Sequence, residues 1–234
     1  MSYRTVTMDD GVRLAVRESG PADAPIIVCV HGYPDDGTVW DGVEQLLNAD
    51  HRVVVYDVRG AGRSDRPHSR DAYLLDRLAT DLAAIIEEVS PAAPVHLLAH
   101  DWGSLQAWHA LTRKMITVRS YTSISGPSLH QAGRWMRSHL RTRAGLRQAF
   151  SSTYIGFFRL PLLPEAATRI GALGGLIRRD TSRLGKPASR EDIRWGLELY
   201  RANMGTKKPA RSGPRPDRTV GVPVMVLAPS ATAT

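Results

Sequence analysis

Four short apolar runs constrain this chain more than any other feature. They are Ile26–Val30, which is continuously apolar, and Val53–Tyr56, Val95–Ala99 and Tyr121–Ile124, which follow the same style, each too short for a buried helix. Runs of that kind read as strands covered on both faces, the habit of a parallel sheet. Between the first two, Trp40, Val43 and Leu47 recur at helical spacing, and before the third Leu75, Leu78, Leu82, Ile85 and Val89 make a longer stripe. Strand and helix therefore alternate, and right-handed crossovers wind them into a doubly wound, mostly parallel α/β sheet. Residues 3–18 precede this pattern as two strands joined at Asp9-Asp10-Gly11, where glycine suits the tight turn of an antiparallel hairpin at one sheet edge.

From Pro127 to about Pro214 the rhythm breaks. Helical segments follow one another with Pro161, Pro164 and a Gly171 to Gly175 stretch between them, and the chain then returns to a strand at Val222–Leu227. An all-helical insertion between two sheet strands is a cap, so the expected division is a core of residues 1–126 and 215–234 and a helical cap of residues 127–214.

Charge follows the same division. The net charge is +8, yet residues 131–220 carry 19 Lys/Arg against 6 Asp/Glu, and the rest of the chain 12 against 17. One acidic body bears one basic segment. That segment has no zinc-finger spacing or RNP-like aromatic pattern, and Arg134, Arg137, Arg141, Arg143 and Arg147 point in more than one helical direction. A solvated basic face is the simpler reading, and no nucleic-acid partner is expected. Hydrophobic residues at 42% and charged residues at 23% exclude wholesale disorder. The single cysteine, Cys29, lies in an apolar run and reads as a buried structural thiol. No signal-peptide pattern opens the chain and no apolar segment is long enough to span a bilayer, so the expectation is a cytoplasmic protein without a membrane span.

The third apolar run leads directly into Ala99-His100-Asp101-Trp102-Gly103 and then a helix from Ser104. Small residues at 99 and 103 suit a sharp strand-to-helix reversal, which thrusts the middle residue, Asp101, outward at the carboxyl end of the sheet. The serine version of this elbow has Ser at that position; here Ser104 lies just outside the pattern. The competing reading of Asp101 is an N-cap on the following helix. A second motif, His31-Gly32-Tyr33-Pro34-Asp35, follows the first buried strand. Gly32 allows close backbone approach, and the N–H of Tyr33 can pair with that of Trp102 to hold a developing negative oxygen. The third, Asp57-Val58-Arg59-Gly60-Ala61-Gly62-Arg63-Ser64-Asp65, lacks the Lys-Ser/Thr of a phosphate loop and reads as a structural turn.

In this order, HGYPD, DVRGAGRSD and AHDWGS resemble the α/β-hydrolase superfamily, and aspartate at the elbow points to its epoxide hydrolase branch. The resemblance is strongest to the hydrolase half of bacterial proteins that fuse such a domain to a short-chain dehydrogenase, which implies a fused or separate dehydrogenase partner. It implies a small apolar epoxide as substrate, attacked by Asp101 to give an alkyl–enzyme ester, with two cap tyrosines holding the epoxide oxygen and no metal or organic cofactor. Tyr200, followed by Arg201, fits one of those tyrosines and Tyr154 the other. By periodicity alone Tyr200 is a packing residue, since Ile193, Leu197, Tyr200 and Met204 share one face of a helix opened by Ser189 and Asp192. Tyr154 carries the same packing alternative. Phe157, Leu197 and Met204 are expected to wall the cavity.

Ester hydrolysis further requires a histidine base and an orienting acid, and the resemblance places both after the nucleophile. The eight histidines are 31, 51, 68, 96, 100, 109, 130 and 139, and no carboxylate follows Leu227. His31 reads as a brace for the oxyanion loop, and adjacent elbow residues point His100 and Asp101 apart; His130 and His139, on a cap helix, are the first substitutes to consider. The sequence therefore reads as an epoxide hydrolase-like chain truncated at its C-terminus and impaired in ester hydrolysis. Two rivals stand beside that reading: a haloalkane dehalogenase-like hydrolase, with the Trp102 indole holding halide, and a non-catalytic remnant or binding module.

Overall fold

A computed structural model describes residues 2–175, 188–204 and 219–228. Among the described residues seven strands form one sheet in the order β1-β2-β4-β3-β5-β6-β7. Strands β1 (Arg4–Thr7) and β2 (Arg13–Ser19) are antiparallel and turn at Gly11, whose φ is 81°. β2 runs antiparallel to β4 (Arg52–Tyr56), and from there β3 (Ile26–Val30), β5 (Val95–His100), β6 (Val118–Ile124) and β7 (Val224–Leu227) continue in parallel register. The four apolar runs are thus the central strands, in the α/β arrangement that their composition predicts.

Helices cover both faces. Trp40 closes a 3₁₀ turn over Gly37–Trp40 rather than joining α1 (Asp41–Leu47), and with Ile27, Cys29, Val53 and Val55 it forms the core on one side. Cys29 is fully buried there. On the other face α2 (Leu75–Val89) sets Leu82, Ile85 and Val89 against Val28, Val54 and Leu97. α3 (Trp102–Thr112) follows the elbow and packs along α2.

Between β6 and β7 the described residues are helical: α4 (Leu129–His139), α5 (Arg143–Ser151), α6 (Thr153–Phe158), α7 (Leu163–Arg169) and α8 (Arg190–Asn203). The boundary expected near Pro214 and the tail Pro229–Thr234 lie outside the described residues. α8 is tied to the core at both ends. Near its start, Asp192 accepts hydrogen bonds from the Gly62 amide at 2.9 Å and from Arg66 at 3.0 Å. At its end, Asn203 accepts from the Leu75 amide at 2.9 Å, capping α2, and donates to the Tyr73 carbonyl at 2.8 Å. The loop after Asp57 serves this architecture. The Asp57 carboxylate gathers the Gly37 amide at 2.7 Å and the Arg63 amide at 2.8 Å, joining two loops at one end of the sheet. β7 closes the described sheet with all four side chains exposed.

Candidate active site

The chemistry gathers where β5 turns into α3. Asp101 sits at that turn with φ 52° and ψ −122°, a left-handed conformation that costs a non-glycine residue on the order of 1–3 kcal/mol. Asp101 holds the N-cap position of α3, and its side chain makes no capping hydrogen bond there. Instead Asp101 Oδ1 accepts the Tyr33 N–H at 2.8 Å, and the Trp102 amide also hydrogen-bonds the carboxylate. The two amides expected to form an oxyanion hole thus both reach the Asp101 carboxylate.

Glycine makes this approach possible. A Cβ at Gly32 would fall 2.5 Å from Asp101 Oδ1 and 2.6 Å from the Trp102 nitrogen, and one at Gly103 would collide with the carbonyls of Val30 and His31. His31 is fully buried, with Nδ1 3.0 Å from the Gly32 carbonyl and Nε2 accepting the Val58 N–H at 3.0 Å. Both ring nitrogens are engaged, so His31 braces the Gly32–Tyr33 loop.

Burial raises the Asp101 carboxyl to about 6, against the lowering effect of the Trp102 and Tyr33 amides. An aromatic cluster stands by it. Tyr200 of α8 is buried, with its ring centroid 5.0 Å from Trp102, 5.3 Å from Tyr33 and 5.0 Å from Phe158. Tyr154 of α6 lies 6.1 Å from Tyr200 and is 48% exposed. Burial first, and then the Asp101 charge, raise both phenols above the usual tyrosine value, so both remain protonated donors near neutral pH. The structure therefore groups Tyr33, Trp102 and the buried Tyr200 with Asp101, and sets the half-exposed Tyr154 against Tyr200.

Two features differ from the sequence expectation. Phe158 rather than Phe157 supplies the buried aromatic wall: Phe158 touches Tyr33, Tyr154 and Tyr200, whereas Phe157 is 36% exposed. Its spacing of four from Tyr154, one helical turn, was the available signal. Gly196 of α8 makes room for Tyr33, since a Cβ there would strike the Tyr33 ring. Nothing local in the sequence marks that contact.

The other histidines divide by environment. His139 is stacked on Trp135 and its Nδ1 is 2.9 Å from the Trp135 carbonyl, while His96 pairs with Ser120 and His109 with Asp76. His100 Nδ1 is 3.9 Å from Asp35 Oδ2, and burial lowers the His100 ring while Asp35 opposes that shift. Ser104 is engaged below the elbow, donating to the Ala99 carbonyl at 2.5 Å. Among the described residues, no cluster of three or more His, Cys, Asp or Glu side chains could hold a metal ion, and no helix is long and apolar enough to cross a membrane.

Residues 25–208 match the α/β hydrolase fold family. The chain is 40% identical over 186 residues to the probable oxidoreductase EphD of Mycobacterium tuberculosis, covering 76% of this chain and 31% of that protein. It is 32% identical over 158 residues to epoxide hydrolase A of the same species, covering 67% of this chain and 48% of that protein. The chain thus spans about a third of the first relative and about half of the second. Among solved structures, an epoxide hydrolase of Bacillus megaterium superposes with a TM-score of 0.78 at 20% identity, over 96% of this chain and 82% of that one. An epoxide hydrolase from hot-environment metagenomes gives a TM-score of 0.75 at 24% identity, over 97% of this chain and 82% of the other. The chain belongs to the α/β hydrolase fold family, and its similarities within that family run to epoxide hydrolases.

Proposed function

We propose that this chain opens a small apolar epoxide by attack of Asp101, with the helical insertion acting as a cap that supplies the acid. One Asp101 oxygen, Oδ1, is held by the Tyr33 amide, which leaves Oδ2 for bond formation. Oδ2 bonds to an epoxide carbon, the strained C–O bond breaks, and its electron pair passes to the departing oxygen. That oxygen takes a proton from Tyr200 or Tyr154, giving a hydroxyalkyl ester of Asp101 and a phenolate that recovers its proton from solvent. Esterification removes the Asp101 charge that raises both phenols, so the phenolate becomes easier to form as the reaction proceeds. The observation that carries this reading is Tyr200. It is a buried phenol packed on both residues whose amides hold the carboxylate, and it is electrostatically coupled to Asp101.

In the second half-reaction water adds to the ester carbonyl, Oδ1 becomes the oxyanion between the Tyr33 and Trp102 amides, and collapse releases the diol. This step needs a general base, worth ~10²–10⁴-fold. His31, behind the loop that carries the Tyr33 amide, has both ring nitrogens engaged. Hydrolysis of the ester is accordingly taken as the slow half-reaction. The tyrosine pair favours an epoxide over a halide, because a departing alkoxide requires a proton and a halide does not.

Intact mass after incubation with an aryl epoxide tests the proposal. One stoichiometric adduct is expected, mapped to Asp101, absent in Asp101→Ala, slowed in Tyr200→Phe and accompanied by little diol. Its rate will rise with ionisation of Asp101, through about pH 6. Absence of an adduct in folded protein overturns the reading, halide release from an alkyl halide replaces it with the dehalogenase-like rival, and sustained diol release overturns the accumulation of the ester.

A further inference from the structure

Between Asp101 and Glu165 the sequence contains no acidic residue but nine Lys/Arg. The densest part, Arg134, Arg137, Arg141, Arg143 and Arg147, falls on the helical hairpin of α4 and α5. The hairpin is locally well specified. Thr142 Oγ1 caps α5 by accepting the Gly145 amide at 3.1 Å, and Gly145 packs so closely on the His139 carbonyl that a Cβ would collide with it. Eight of the nine α5 residues are nevertheless exposed, Gly145 being the exception.

The exposure extends to large apolar side chains. Phe150 is 79% and Leu146 60% exposed, one turn apart on α5, and Trp135 and Leu140 are exposed on α4 and the connecting turn. A nine-residue helix gains most of its stability from burying an apolar face, and here that face meets water. Among the described residues, none of the five arginines is in a salt bridge. The hairpin thus combines a fixed positive charge with exposed aromatic and aliphatic side chains.

Charge decides what can cover it. A second copy docked hairpin to hairpin would set five arginines against five, with no carboxylate on either hairpin to offset the repulsion, and one docked through its acidic body would meet the arginines but not the apolar side chains' need for an apolar partner. A nucleic acid would engage the arginines but leave Leu146 and Phe150 in water. A bilayer with anionic headgroups satisfies both, because phosphates meet guanidinium groups at the level where Trp, Phe and Leu side chains reach the acyl boundary. We propose that the α4–α5 hairpin is a docking surface for an anionic lipid bilayer, with its arginines on headgroup phosphates and Trp135, Leu140, Leu146 and Phe150 at the headgroup–acyl boundary. Docking of this kind needs no spanning segment, and it stands whether or not Asp101 forms an ester.

The test is cosedimentation of the full chain with vesicles of phosphatidylcholine alone or mixed with phosphatidylglycerol. Binding is expected to the mixed vesicles, weak on the neutral ones, and reversed by high salt. Each arginine near an anionic leaflet is worth about fivefold in partitioning, so Arg143→Gln with Arg147→Gln will lower it about 25-fold. Leu146→Ser with Phe150→Ser will also weaken it, and brominated lipid will quench a tryptophan signal that Trp135→Phe removes. All these side chains are exposed, and unchanged thermal melts will show that the variants fold. Equal binding to neutral vesicles, or partitioning that none of the variants changes, overturns the proposal. Retention on a DNA duplex without vesicle binding overturns it in favour of a polyanion site. Self-association abolished by the apolar variants, again without vesicle binding, overturns it in favour of a second copy.

Discussion

Replacing Asp101 by asparagine will make this protein more stable above pH 6 and leave it nearly unchanged at pH 4. The carboxyl rises from 3.8 to about 6 because burial disfavours its ionised form, and the Trp102 and Tyr33 amides recover only part of that loss. Each tenfold change in proton affinity is worth ~1.4 kcal/mol, so the ionised carboxylate costs the fold ~3 kcal/mol. A folded value above the unfolded one fixes the sign: the cost is absent below about pH 3.8, grows between the two values and is complete above about pH 6. Asparagine keeps an acceptor for the Tyr33 amide, held at 2.8 Å, and carries no charge, so the substitution isolates the electrostatic part. For a chain of 234 residues ~3 kcal/mol corresponds to about 6–12 °C in Tm. Thermal melts of both proteins at pH 4, 6 and 8 measure it. A variant equally or less stable at pH 8, or a difference that does not vary with pH, would refute a burial-destabilised carboxylate.

Three further outcomes follow from particular contacts. Gly196→Ala will drive a methyl into the Tyr33 ring; overpacking of ~1–3 kcal/mol outweighs the ~1 kcal/mol gained in helix propensity, and alkylation of Asp101 will slow with the loss of stability. Asn203→Ala removes the cap on the Leu75 amide and the bond to the Tyr73 carbonyl, costing about 1–2 kcal/mol by chemical denaturation, with a further fall in alkylation rate as Tyr200 loses its anchor. Val226→Lys, on β7, the last strand of the described sheet, will leave the melt within about 0.5 kcal/mol and lower the scattering from aggregates, because a charge on an exposed strand opposes intermolecular pairing.

Much of the architecture was legible because its causes are local. Short apolar-rich runs of four or five residues, continuous at Ile26–Val30 and similar in style at the other three, fit buried strands and nothing longer, so the central sheet from β3 to β6 followed from composition and length. The elbow was legible for the same reason: small residues at Ala99 and Gly103 flank a residue whose backbone must reverse, and the structure gives that residue, Asp101, a φ of 52°. Gly32 pointed to close approach because glycine alone lacks the atom that would fill the gap. The open side of α5 was not legible, since a pattern with Leu146 and Phe150 one turn apart has the form of an ordinary packing face.

Only the tertiary structure decided what depends on segments distant in sequence. That Asp101 rises to about 6 depends on its burial in the folded chain, opposed in part by the Tyr33 amide 68 positions away. That Tyr200 reaches the site follows from the bonds of Asp192 to Gly62 and of Asn203 to Leu75, each across roughly 130 residues. The choice of Phe158 over Phe157 was set by the Tyr33 ring it packs against, and the fit of that ring by a glycine on α8. The sequence determined which residue types stand at the turns, because steric limits act on neighbours along the chain. Burial, desolvation and orientation act through space, and only the folded chain settles them.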